Sequence, residues 1–140
     1  MFDLTPEPID VAAVRRAVSD PGCGAILVFE GTARDHFEGR RVVRLEYEAW
    51  PDLAVPFMRR IGAEIAERWP GARVAMVHRT GVVPIGEPSV VIAVATPHRA
   101  ACYEASRYAI EQLKARVPVW KKEIYEDGSA WKANTPAVHD

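Results

Sequence analysis

Two prolines bracket the stretch that most restricts how this chain can fold. Thr96-Pro97 offers a capping residue followed by the proline that suits a first helical position, and Val117 is pushed out of helical geometry by Pro118 behind it. The spacing between them predicts a helix from about Pro97 to Arg116. On an angular count Cys102, Ala105, Ser106, Ala109, Ile110, Leu113 and Val117 share one arc of it, so the helix needs an apolar surface to lie against.

Strands arriving in pairs provide that surface. Gly24-Ala-Ile-Leu-Val-Phe-Glu30 is a short apolar run that suits a buried strand, while Val43, Leu45, Tyr47 and Ala49 alternate with charged residues as a half-buried strand does. Arg73 to Arg79 and Ser89 to Ala95 read as two more, separated by the Pro/Gly-rich Val82 to Pro88. Val119 to Tyr125 leads through an Asp127-Gly128 turn to a strand at Trp131. The polar segment Arg34 to Arg40 reads as a mobile loop.

Two further helices are expected. Asp10 caps one from Val11 to about Val18, closed by Pro21-Gly22, and a second from about Leu53 to Trp69 repeats Phe57, Met58, Ile61, Ile65 and Trp69 before Pro70-Gly71. Pairs of strands between three main helices predict an α+β fold with a mostly antiparallel sheet, rather than a doubly wound one. At 140 residues, 49% hydrophobic, residues 1–140 fit a single domain with its own core.

A net charge of -1 excludes bulk attraction to nucleic acid or anionic lipid, so any anion site must be local. The N-terminus Met1-Phe-Asp-Leu-Thr-Pro lacks a basic region before an apolar run, and no apolar segment approaches the roughly 20 residues that span a bilayer. A cytoplasmic protein is expected, with no membrane partner. Cys23 and Cys102 are far apart and read as buried thiols, and His36, His78 and His139 have no metal-triad spacing. Neither a metal nor a cofactor is expected.

Cations gather at both ends of the proline-bracketed helix. His98 and Arg99 in its first turn oppose the macrodipole at a cost of about 0.3 to 1 kcal/mol, which an anion docked on the free N–H groups would reverse. An arginine swung out to a surface carboxylate accounts for the same residues. At the other end, Lys114-Ala-Arg-Val-Pro-Val-Trp-Lys121-Lys122-Glu123 gathers four cations around a helix-ending proline. Lys114 in a last turn suits the dipole without any chemistry. Lys121 and Lys122, neighbours on a strand, must point to opposite faces, so only one can return towards Lys114. Trp120 and Trp131 with these lysines also fit a second reading, a non-catalytic basic-aromatic platform for single-stranded nucleic acid.

Taken in order, the motifs resemble one family. His98-Arg99 opening a helix, Lys114 near its end, Val-Pro-Val-Trp-Lys-Lys-Glu, Asp127-Gly128 and Trp131 are similar to the large, catalytic subunit of molybdopterin synthase. Phe29-Glu-Gly-Thr-Ala-Arg34-Asp with Gly39, Leu45-Glu-Tyr-Glu-Ala49, and Val77-His-Arg-Thr-Gly81 with Gly86-Glu87 extend the match over about residues 22 to 135.

The resemblance implies an α/β hammerhead fold and an enzyme of molybdenum-cofactor biosynthesis. Its substrate would be cyclic pyranopterin monophosphate, which gains two sulfurs as a dithiolene. The sulfur donor would be the C-terminal Gly-Gly thiocarboxylate of a small ubiquitin-like partner, with a homodimer of large subunits at the centre of a heterotetramer. By the same resemblance Arg34, His98 and Arg99 match positions that contact the pterin phosphate. Lys114 and Lys121 match the two active-site lysines, and Lys122 and Glu123 match positions beside the substrate pocket. Two anionic reactants need fixed cations to meet, which explains these residue types. Phe37 stands where the family commonly has Asn, Trp50 where Tyr is common, and Cys102-Tyr103 where Ala-Phe is frequent. Cys102 reads as a helix-face hydrophobe, since the family's sulfur comes from the partner.

Overall fold

Every residue from Ser89 to Thr96 is buried, and the strand that holds them is the middle of the molecule. The computed structural model describes residues 1–134. In chain order its elements are β1 (Phe2–Thr5), α1 (Val11–Val18), β2 (Ala25–Thr32), β3 (His36–Phe37), β4 (Arg40–Ala49), α2 (Pro51–Arg68), β5 (Arg73–Arg79), β6 (Gly81–Pro84), β7 (Pro88–Thr96), α3 (Arg99–Arg116), β8 (Val119–Tyr125) and β9 (Ala130–Asn134).

The first sheet runs β1-β5-β7-β2, with β1 parallel to β5 and the other pairs antiparallel. Its strands alternate between two cores. Ala75, Val77, Val91, Ala93 and Ala95 pack with Val14 and Val18 of α1, whereas Met76, Val90, Ile92 and Val94 pack with Met58, Ile61 and Ile65 of α2 and Cys102, Ala105, Ala109 and Leu113 of α3. Both faces are covered, which is why β7 reads as an unbroken apolar run. Ile61 is fully buried, a gain of about 1.5 to 3 kcal/mol for a side chain of that size. Beside it α2 passes so close to β1 that a Cβ on Gly62 would lie 2.3 Å from the ring of Phe2.

The second sheet runs β3-β4-β8-β9, with β6 also pairing with β4. Its core is small: Val42, Leu45, Val83 and Tyr125, with Ala33. The α+β architecture with mostly antiparallel pairing and three helices is therefore as expected, and four local expectations change.

The helix after β7 begins at Arg99, with His98 as its flanking residue, not at Pro97 with Thr96 as cap. Thr96 is held extended by pairing with Ala25, and the Gly24 N–H donates to the Pro97 carbonyl (3.2 Å), so sheet pairing runs past the local helix signal. The Thr96 hydroxyl donates to the His98 carbonyl (2.6 Å) and caps nothing. Arg34 to Arg40 is not the mobile loop expected. Most of it is a hairpin whose turn residues Glu38 (φ 48°) and Gly39 (φ 77°) both take the left-handed conformation of a tight two-residue connection.

Val43 is 41% exposed although it begins the alternating pattern. The β4–β8 register shifts between Val42 and Arg44, and this bulge turns Val42 inward in its place. Finally, two short strands lay outside the expected set: β1, whose pattern is only four residues long, and β6 inside the Pro/Gly-rich stretch, where Val83 is fully buried.

Candidate functional site

The seam between the two sheets holds a pocket lined by cations from three separate elements. Lys114 comes from the last turn of α3, Lys121 from β8, and Arg34 from the connection between β2 and β3. The helix ends because Val117 takes the extended geometry a following proline demands (φ -80°, ψ 124°), and the chain turns at once into β8. On β8 the two-residue period sends Lys121 and Glu123 to the pocket and Lys122 to the other face. Pairing with β4 then sets Tyr47 opposite Lys121 and Leu45 opposite Glu123, so both line the same pocket. Phe29, Gly31 and Thr32 of β2, with Ser89 and Val90 of β7, close the side that belongs to the first sheet.

Glu123 is only 4% exposed, and the Tyr125 hydroxyl donates to its Oε1 at 3.3 Å. Burial pushes the Tyr125 phenol up, and the Glu123 charge adds to that. Close by, the Tyr47 ring meets His78 edge-on at 4.9 Å. The His78 Nδ1 lies 2.8 Å from the Arg79 carbonyl; a carbonyl only accepts, so Nδ1 carries the proton. Burial drives the His78 pKa down to about 4; the Arg79 carbonyl opposes this and the charge of Lys114 adds to it. His78 is therefore a neutral imidazole at neutral pH, beside a cationic pocket.

The candidate residues divide. Arg34, Lys114, Lys121 and Glu123 are brought together. His98 and Arg99 are exposed at the opposite end of α3, and the 15 steps from Arg99 to Lys114 span about 22 Å of helix axis. Lys122 lines a groove on the far side of β8 with Glu46, Glu48, Val82 and Trp120. Two carboxylates in that groove oppose a phosphate backbone, which weighs against the basic-aromatic platform; the Trp131 side chain lies outside the described residues. Tyr47, Phe29, Thr32 and Ser89 were not singled out from the sequence as site residues. Their only signal is register, since Tyr47 enters the site by pairing with Lys121.

Among the described residues no group of three or more His, Cys, Asp or Glu is arranged to hold a metal. His139 lies outside them. Cys102 is buried and its thiol donates to the Val94 carbonyl (3.3 Å), while Cys23 is half-buried. No helix among the described residues is long and apolar enough to cross a membrane.

Comparison with known proteins adds four findings. The family model described as MoaE protein matches residues 4–116. A molybdopterin synthase catalytic subunit from Bacillus subtilis is 52% identical over 130 residues, covering 93% of this chain and 83% of the relative. Among solved structures, molybdopterin synthase from Staphylococcus aureus superposes with a TM-score of 0.91 at 41% identity, over 94% of this chain and 96% of the other. At the level of fold alone, the chain also superposes on the molybdopterin-converting factor of Helicobacter pylori, solved as a complex of subunits 1 and 2, with a TM-score of 0.78 at 20% identity over 95% and 90% of the two chains.

Proposed function

Because the chain belongs to the MoaE family, whose members include molybdopterin synthase catalytic subunits, we propose that it is the sulfur-transferring subunit of such an enzyme and acts in the cytoplasm. Its substrate is cyclic pyranopterin monophosphate. Its sulfur donor is the C-terminal Gly-Gly thiocarboxylate of a small ubiquitin-like partner, which leaves each transfer as a carboxylate.

One observation carries this reading: Arg34, Lys114 and Lys121 converge on one pocket from three elements remote in sequence. Fixed cations in a recess lower the cost of bringing two anionic reactants together and stabilise charge that develops between them. Lys114 serves as acid or base at the carbon centre, and Lys121 orients the substrate or stabilises a developing oxyanion. Glu123, on the same face as Lys121, borders the bound substrate.

Arg34 contacts the phosphate together with His98 and Arg99, and the length of α3 bears on how. A separation of about 22 Å along the helix is too great for one small substrate to touch Lys114 and Arg99 of the same chain. His98 and Arg99 therefore reach the phosphate from a second copy, within a homodimer that carries a small subunit on each protomer. The test is reconstitution with thiocarboxylated small subunit and cyclic pyranopterin monophosphate, following dithiolene formation. Conversion by Lys114→Ala at the parental rate would end this reading.

A further inference from the structure

Arg34 stands on a piece of backbone that is braced from behind by residues outside the pocket. Its neighbour Ala33 is 3% exposed and is clamped by the β6–β7 turn: the Ala33 N–H donates to the Glu87 carbonyl (3.1 Å), and the Ala33 carbonyl accepts from the Gly86 N–H (2.8 Å). That turn depends on Gly86 in the left-handed region (φ 87°) and on the Glu87 N–H donating to the Pro84 carbonyl (3.1 Å). The Glu87 side chain is tied down in turn, since Arg79 Nη1 donates to its Oε1 at 2.7 Å.

Arg79 is an unusual post. Its side chain is 9% exposed, and its buried Nε has no hydrogen-bond partner among the described residues. Burying a guanidinium with an unpartnered N–H is unfavourable, so the contact with Glu87 is what the position offers in return. The post is rigid because it ends β5, paired with Thr5 of β1, and the Thr80 N–H donates to the Thr5 carbonyl (2.8 Å).

We infer that Arg79 and Glu87 are positioning residues for Arg34: their ion pair fixes the β6–β7 turn, the turn fixes Ala33, and Ala33 sets the direction from which Arg34 enters the pocket. Neither residue touches the reacting atoms. The inference rests on the reading of Arg34 as a contact for the substrate's phosphate, and a small misplacement of such a group is enough to weaken it.

A double-mutant cycle tests it in the reconstituted complex, with Glu87→Gln, Arg34→Ala and the double variant, reading KM for the pterin substrate, kcat and thermal midpoint. Glu87→Gln is expected to raise KM about tenfold with kcat changed less, and to add less than about twofold once Arg34 is already Ala. A Glu87→Gln penalty that appears in full on the Arg34→Ala background, or a KM equal to that of the parent, would overturn the strut alone. Parental kinetics in Arg34→Ala would instead remove the reading of Arg34 and the strut with it. If Glu87→Gln does not fold, Arg79→Lys enters the same cycle, because it keeps the charge but loses the guanidinium geometry.

Discussion

The two ends of α3 carry similar sequence signals, a cation or two beside a proline, yet they sit in opposite environments. At the C-terminal end Pro118 sends the chain straight into β8, so Lys114 is half-buried and shares a pocket with Lys121, Tyr47 and Arg34. At the N-terminal end Thr96 closes a strand of the first sheet, and Pro97, His98 and Arg99 are left exposed. A cation becomes part of a pocket when the next element folds back over it, and only one end of this helix meets that condition within one chain.

The largest test of the contrast is Lys114→Ala. It should lower kcat by about a hundred- to ten-thousandfold in the reconstituted assay while the far-ultraviolet circular dichroism stays unchanged, as expected for loss of a group acting on protons in the transition state. Arg99→Ala should cost about ten- to a hundredfold, the range for losing one charge-assisted contact to a phosphate. Mixing unfolded Lys114→Ala and Arg99→Ala chains and refolding them together should then restore about a quarter of parental activity, because one site in each mixed two-fold dimer regains both residues. A mixture no better than its components would mean that the two ends never meet, even across copies.

A smaller effect is expected where α3 is fastened to α2. Arg116 makes a two-pronged contact with Glu64 (Nη1 to Oε1 2.7 Å, Nη2 to Oε2 2.9 Å), and the Tyr108 hydroxyl donates to the same carboxylate. These hydrogen bonds, Arg116 first, hold the Glu64 pKa at about 2 instead of 4.5. A carboxylate depressed on folding adds stability that is complete above its unfolded value and is lost as pH falls towards the folded one. Glu64→Gln should therefore cost about 1 to 2 kcal/mol in urea unfolding at pH 7, partial exposure limiting the figure, with the gap to the parent closing between about pH 4.5 and 2. A gap unchanged at pH 3 would show that the ion pair does not secure this end of the helix.

The smallest change is expected at Lys122, which shares β8 with Lys121 but faces Glu46 and Glu48. Lys122→Ala should alter kcat/KM by less than about fivefold, the scale of one exposed charge. A loss as deep as that in Lys121→Ala would contradict the division of the strand into two faces.

Much of this contrast was legible in the residues. The α2 periodicity through Met58, Ile61 and Ile65, the two-residue period that separates Lys121 from Lys122, and the pre-proline stop at Val117 are short-range effects, and each appears where expected. Thr96 does not cap the helix because its cap signal is local and loses to strand pairing with Ala25, which forms between residues about 70 positions apart. Val43 departs from its alternating pattern for a similar reason, since one bulge in the β4–β8 register reverses which valine is buried. The hairpin at Glu38-Gly39 looks like a loop in sequence because its charged residues hide the backbone requirement for positive φ.

By itself the sequence determined the three helices, the longer strands and the chemistry on offer, because periodicity, proline and glycine act within a few residues and charge is carried by side-chain identity. It thereby specified a helix with cations at both ends and a strand with lysines on both faces. Which cations share a pocket was decided by tertiary structure alone. That depends on the pairing of β4 with β8, on the clamp around Ala33, and on the rigid length of α3, which holds Arg99 and Lys114 about 22 Å apart however suggestive each end is alone.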